Sequence, residues 1–243
     1  MQIQLMEVRP AATIMLGRDQ GEGLEVLLVR RNKKLAFAGG VWVFPGGKIE
    51  QSEFSNSEND LDAAKQAALR ETLEETSLSV EKDGLIYFRH WTTPAVEPKR
   101  FATWFFFASA NQSQKKVIID DNEIKDYQWV NPQHALNELK NGERFLMPPT
   151  FLSLLLIRNC NSVAEAQTVL RREPVVEVRP VMCKREAGVD LLYEGDAGYN
   201  KADASIVGAR HRLTLEPMNG KIQFQFRDCK NVLPVTGGDL FFS

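Results

Sequence analysis

Residues 101–108 read FATWFFFA, and this octet restricts the fold more than any other stretch of the chain. In an extended backbone successive side chains point to opposite faces. Phe101, Thr103, Phe105 and Phe107 therefore share one face, and Ala102, Trp104, Phe106 and Ala108 the other. Both faces are largely apolar, so the strand must be central, with a layer of structure covering each side. Leu27, Leu28 and Val29, continuous within LEVLLVRR at 24–31, make the same demand. Residues 8–18 and 24–31 are separated by the turn-like DQGEG and predict a hairpin, while 84–91 and 123–130 predict further strands.

Helices must supply the covering layers. From Asp60 onward the chain is rich in Ala, Leu, Gln, Lys and Glu and free of Gly and Pro, which predicts a helix capped by Asn59 or Asp60. Asn131-Pro132 opens a second helix through Leu139, Pro149 to Asn159 a third, and Ser162 to Arg172 a fourth. From Glu173 the composition turns β-rich, and Asn219-Gly220 within RLTLEPMNGKIQFQF is a strong hairpin turn. Arg210-His211-Arg212 reads as a charged strand start. These signals divide the chain into residues 1–172, a layered α+β domain, and 173–243, a β-rich extension. The extension has three readings: a lid, a dimer surface that would make a homodimer, or a substrate-facing subdomain.

The first helix carries an unusual charge pattern. Arg70, Glu71, Glu74 and Glu75 fall within six residues, and positions 71, 74 and 75 are i, i+3 and i+4 on one face. Like charges so placed destabilise a helix by roughly 0.2–0.5 kcal/mol per pair. A hard divalent cation reverses that sign, because such ions take carboxylate oxygens together with the phosphates of a substrate. Arg70 can pair with Glu74 at i+4 or orient Glu71. Spacing alone leaves two readings open, a solvated face with ordinary ion pairs and a metal site.

These residues resemble the signature of the Nudix hydrolase family, which runs G, five residues, E, seven residues, then R-E-U-x-E-E-x-G-U, with U a bulky aliphatic. Gly47 and Glu53 match its first half, and Arg70 to Leu78 its second. The chain departs in three places: sixteen residues (54–69) stand where the pattern has seven, Thr72 replaces an aliphatic, and Ser77 replaces the glycine. The polar, turn-prone FSNSEND suggests that the extra residues form a longer loop before an intact helix. Ser77 should strain the helix end, where glycine would accept a positive φ.

The resemblance implies an α/β/α sandwich with a mixed sheet, the signature helix on one side and the later helices on the other. It implies hydrolysis of a diphosphate in a nucleoside diphosphate derivative, assisted by Mg2+ or Mn2+. Carried over position by position, it makes Glu71, Glu74 and Glu75 metal ligands together with the carbonyl of Gly46. Arg70, Glu71 and Glu74 become the catalytic group, with Arg70 orienting the cluster. Leu27, Leu28, Arg31, Gly40, Phe44, Pro45, Gly46 and Gly47 agree in part with the motif that precedes the signature in coenzyme A diphosphohydrolases; Val29, Asn32 and Ala36 do not. The run from Trp91 to Phe107 is similar to the same region of longer coenzyme A diphosphatases, which also tolerate an insertion in the signature. Arg31, Gly40, Phe44, Arg100 and Glu123 are the substrate-side candidates, Glu123 as a distal carboxylate. Coenzyme A or acyl-CoA is the first substrate choice; an ADP-ribose or NADH-type dinucleotide, or a non-catalytic nucleotide sensor, is the alternative.

Bulk properties narrow the setting. With 243 residues the chain can bury a sizeable core without disulfides, and its three cysteines, Cys160, Cys183 and Cys229, are odd in number and widely spaced. A net charge of -2 gives no basic footprint for nucleic acid. The longest apolar run, FLSLLLI at 151–157, is too short to span a bilayer, and the start MQIQLMEVRP has no signal-peptide pattern. A cytoplasmic protein with a small-molecule partner, no nucleic acid and no membrane is the expectation.

Overall fold

The computed structural model describes residues 7–21, 23–35, 38–111, 116–216, 221–229 and 240–242. The expected turn at Asn219-Gly220, and Ala36 of the upstream motif, lie outside the described residues. The chain opens with β1 (Val8–Gln20), β2 (Gly23–Arg31), β3 (Trp42–Val43) and β4 (Gly46–Lys48), then α1 (Gln51–Ser55) and α2 (Asp60–Thr76). There follow β5 (Ile86–Thr92), β6 (Arg100–Ser109) and β7 (Ile124–Val130), then α3 (Pro132–Lys140), α4 (Pro148–Ile157), α5 (Val163–Arg172) and β8 (Val176–Val178). These strands form one mixed sheet in the order β3-β2-β1-β6-β5-β8, with β7 on β2 and β4 on β1.

The octet behaves as its sequence requires. It lies in β6, parallel to β1 on one side and antiparallel to β5 on the other. Phe105 and Phe107 belong to one buried cluster, with residues of α3, α4 and α5, whereas Phe106 and Ala108 belong to the other. That second cluster contains Ala63, Ala64, Ala67 and Ala68, the face that α2 lays against the sheet. Leu27 and Leu28 likewise fall on opposite faces, both fully buried. The α/β/α sandwich is the observed architecture.

The insertion in the signature is a short polar loop followed by added turns of the helix, with one unforeseen helical turn before it. Gln51–Ser55 is helical and α2 starts at Asp60, so only 56–59 of the insertion lie outside a helix. Capping explains this. Glu50 and Glu53 form a reciprocal capping box at the start of α1, and the Asn59 side chain accepts from Asp62 N–H at 3.0 Å. Four alanines, Ala63, Ala64, Ala67 and Ala68, on one side of the added turns then bury completely. At the other end Ser77 occupies the left-handed region at φ 58°; its N–H reaches Leu73 O (2.8 Å) and its hydroxyl Ile118 O (3.2 Å).

The C-terminal strands, β9 (Val181–Arg185), β10 (Gly188–Leu192), β11 (Arg210–Glu216), β12 (Lys221–Arg227) and β13 (Leu240–Phe242), form an antiparallel sheet in the order β13-β12-β11-β10-β9. Leu191, Tyr193, Leu213 and Phe224 enter the same buried cluster as Trp91 and Phe151. Trp91 meets Tyr193 edge-on at 6.0 Å and Phe151 meets Phe224 at 6.3 Å. Arg212, read from sequence as part of a charged strand start, is buried in a two-pronged pair with Asp196, its Nε and Nη2 donating at 2.8 and 2.6 Å. Asp196 also accepts from the N–H groups of Gly198 and His211, so this carboxylate ties the 194–209 connection to β11.

Because Phe106 is fully buried between β6 and the α2 layer, Phe106→Ala should cost about 3–5 kcal/mol of stability in urea unfolding. A loss under about 1 kcal/mol would mean that this face is not close-packed as described.

Candidate active site

Two glycines bring the sheet to the glutamates. Gly46 sits at φ 153° beside Thr13 of β1, and a Cβ there would run into the carbonyl oxygen of Ala12. Gly47 follows, and a Cβ on it would overlap the Glu71 carboxylate. Gly46 donates its N–H to Glu75 Oε2 at 2.9 Å. The turn can approach α2 this closely only because neither residue has a side chain.

Arg70 organises the carboxylates. Its Nε donates to Glu53 Oε1 (2.9 Å), and its Nη1 to Glu71 Oε1 (2.9 Å) and Glu74 Oε2 (3.0 Å). Its Nη2 reaches Lys48 O at 3.0 Å. The two sequence alternatives for Arg70, pairing with Glu74 and orienting Glu71, both hold. Burial works against its charge, but the bonds to Glu53 and Glu71 outweigh this and hold the guanidinium in its protonated form. Glu53 in turn is buried, and its Oε2 accepts from Glu50 N–H at 2.7 Å. Glu53 is the site residue that sequence reasoning passed over as a catalytic contributor, although the E-Q-S-E capping pattern at 50–53 marks it.

The three glutamates of α2 are graded by burial. Glu75 is 6 % exposed, Glu71 is largely buried, and the Glu74 side chain is mostly in solvent. Burial pushes the Glu75 carboxyl up to about 8, against the Gly46 N–H, which holds it down; the charges of Glu71 and Glu123 push it further. Glu71 is raised by burial as well, opposed by its bond to Arg70.

Of the substrate-side candidates, Glu123 and Arg31 come to the cluster. Arg31 Nη2 lies 3.8 Å from Glu123 Oε2 at the ends of β2 and β7, and the charges of both residues act on Glu75. Gly40, at φ 80°, donates its N–H to Arg31 O (2.9 Å) and closes the loop that carries Arg31. Phe44 is 3 % exposed in the core, so its side chain supports the strand instead of facing a ligand. Arg100 pairs with Val8, five residues along β1 from Thr13, the partner of Gly46. At strand rise that is about 17 Å from the turn, so Arg100 is not part of the cluster.

The donor set suits a hard divalent cation: all oxygen, largely carboxylate, with one charge buried so deeply that it is held protonated near neutrality for want of a counter-charge. Among the described residues no three His, Cys, Asp or Glu side chains are already drawn together as a closed metal-ligating group. Arg70 Nη1 holds one oxygen each of Glu71 and Glu74.

A raised Glu75 has a stability consequence of fixed sign. The folded state retains a proton that the unfolded chain, near 4.5, has already lost, so this contribution to stability fades as pH rises from about 4.5 to 8. In chelator, melting temperature should therefore fall more steeply between pH 5.5 and 8 in the parent than in Glu75→Gln, by differential scanning fluorimetry. Added Mg2+ should stabilise the parent more at pH 8 than at 5.5. Identical slopes in parent and variant would contradict the buried-proton account.

Comparison with known proteins gives the constellation its place. The family description NUDIX domain matches residues 7–149. Over 88% of its length the chain is 24% identical to the Caenorhabditis elegans protein named nudix hydrolase 7, covering 88% of it. It is 23% identical to the acyl-coenzyme A diphosphatase NUDT19 of Xenopus laevis, over 85% of this chain and 79% of that one. The crystal structure of a NUDIX hydrolase from Alicyclobacillus acidocaldarius superposes with a TM-score of 0.60 at 24% identity, over 68% of this chain and 97% of that one, and shows the same fold. With the matched domain spanning β1 to β7, the glycine turn and the whole of α2, the chain belongs to the Nudix family and is a Nudix hydrolase.

Proposed function

We propose that this enzyme hydrolyses the diphosphate of coenzyme A or an acyl-CoA to 3′,5′-ADP and the corresponding phosphopantetheine. The observation that carries the reading is the fan of bonds from Arg70 to Glu53, Glu71 and Glu74 beside the buried Glu75. The similarity to an acyl-coenzyme A diphosphatase supports the choice of substrate, because it extends past the matched domain into the C-terminal sheet.

Glu71, Glu74 and Glu75, with the Gly46 carbonyl, are the residues that would hold Mg2+ or Mn2+. When bound, such an ion neutralises charge on the nonbridging phosphate oxygens. Arg70 keeps Glu71 and Glu74 in fixed rotamers, so their oxygens need no reorganisation as charge develops. Glu71, made more basic by burial, takes a proton as water attacks phosphorus, and the P–O bond of the anhydride breaks toward the leaving phosphate. Arg31 faces the same space from the end of β2 and supplies a cation for the diphosphate. The three cysteines are free, which suits a reducing compartment such as the cytoplasm. Among the described residues no helix is long and apolar enough to cross a membrane.

The test is product analysis. Purified protein is incubated with coenzyme A, ADP-ribose, NADH and diadenosine polyphosphates, each with Mg2+ or Mn2+, and products are identified by mass. Coenzyme A should yield 3′,5′-ADP, and Glu71→Gln should lower kcat by about 10²-fold or more without changing the far-ultraviolet dichroism. Absence of 3′,5′-ADP overturns the substrate; a near-parental rate for Glu71→Gln overturns the site.

A further inference from the structure

We propose that Asn32 is a positioning residue: it holds the 120–123 turn against the end of β2 and so keeps Glu123 beside Arg31 and the α2 glutamates. The inference rests on the site reading above and extends it to a residue outside the signature, at a position where the chain departs from the upstream motif.

Asn32 makes three bonds of short range. Its N–H donates to Glu123 O at 2.7 Å, its Nδ2 donates to Asn122 O at 2.9 Å, and its Oδ1 accepts from Lys34 N–H at 3.1 Å. The partners fix which side-chain atom is the amide nitrogen, since two carbonyls can only accept and the Lys34 N–H can only donate. From behind, the Asp120 carboxylate accepts from the N–H groups of Glu123 and Ile124, both at 2.9 Å. Glu123 is therefore gripped through its backbone on both sides, while its side chain is 61% exposed and is approached by Arg31 at 3.8 Å.

The strand pairing shows why a grip is needed here. Arg30 pairs with Asp126 but Arg31 pairs with Ile124, so one residue of β7 is skipped and the ladder is irregular where Glu123 must be aimed. Irregularities of this kind re-aim side chains next to active sites and leave the ladder locally short of bonds. The Asn32 side chain provides a bond beyond the end of the ladder. The chain just before this turn touches the end of α2, since Ile118 N–H donates to Thr76 O and Ser77 Oγ to Ile118 O. Glu123 is thus suspended between β2 and the end of the catalytic helix, with Asn32 as the β2 attachment.

A residue that acts only through Glu123 has a particular signature. Asn32→Ala removes the two exposed side-chain bonds and keeps the backbone N–H bond to Glu123 O, so the fold should stand and melting temperature should change little. Single-turnover rates on the best substrate of the panel should fall about tenfold, with KM within twofold of the parent, as expected for a modest displacement of a reacting group. Asn32→Asp, which keeps the size but turns the donor toward Asn122 O into an acceptor, should lose at least as much. In a Glu123→Gln background, itself slow, Asn32→Ala should cost less than twofold. Equal losses in both backgrounds, no loss in the parent, or a Glu123→Gln enzyme at parental rate each overturn the inference. If Glu71→Gln is inactive while these couplings fail, the site reading stands and only the role of Asn32 falls.

Discussion

One guanidinium makes the site stable. Four carboxylates, Glu53, Glu71, Glu74 and Glu75, converge on one short stretch of structure, and without a compensating charge their repulsion would unwind or splay the end of α2. Arg70 meets three of them and the carbonyl of Lys48 at 2.9–3.0 Å. A planar, permanently charged fork can do this where a lysine could not. The fourth, Glu75, is left to a single backbone N–H and to burial, and its raised proton affinity follows. The glycine turn, the α1 capping box and the added turns of α2 can be understood as parts that bring groups within reach of this fork.

The sheet gives that arrangement a fixed base. Covering β6 on both sides separates the molecule into two apolar layers: the alanine face of α2 below its glutamates, and the α3–α5 layer that the C-terminal sheet joins. Small residues on α2 let the helix lie close to β1 and β4, and that closeness is what places Glu71 over Gly47. The C-terminal sheet reaches the α3–α5 layer through Trp91, Tyr193, Phe151 and Phe224, on the face opposite α2.

Much of this was legible in the residues. Doubly apolar FATWFFFA required a central strand, i, i+3 and i+4 spacing put three glutamates together, and Asn59, Asn131 and Ser162 marked helix starts that their side chains cap. What escaped notice depended on tertiary contacts. Polarity in FSNSEND suggested a loop, which 56–59 form, but the helical turn over Gln51–Ser55, held by the Glu50–Glu53 capping box, was not expected. Phe44 matched a motif associated with substrate yet packs inward, because period-two alternation after Trp42 and Val43 sends it to the core face. Arg100 fitted a phosphate contact by charge, and only the β1–β6 register shows that it is displaced from the turn. Asn32 looked like a mismatch; its partners are 90 residues away.

The central claim is that Glu75, Glu71 and the turn at Gly46-Gly47 make one cation site that depends on close approach of β4 to α2. Manganese titration followed by electron paramagnetic resonance of the free ion tests this without reference to any substrate. The account predicts that the parent at pH 8 removes the free Mn2+ signal in proportion to protein, and that Glu75→Gln and Gly47→Ala each weaken binding by about tenfold or more. Binding of equal strength in all three proteins would contradict it.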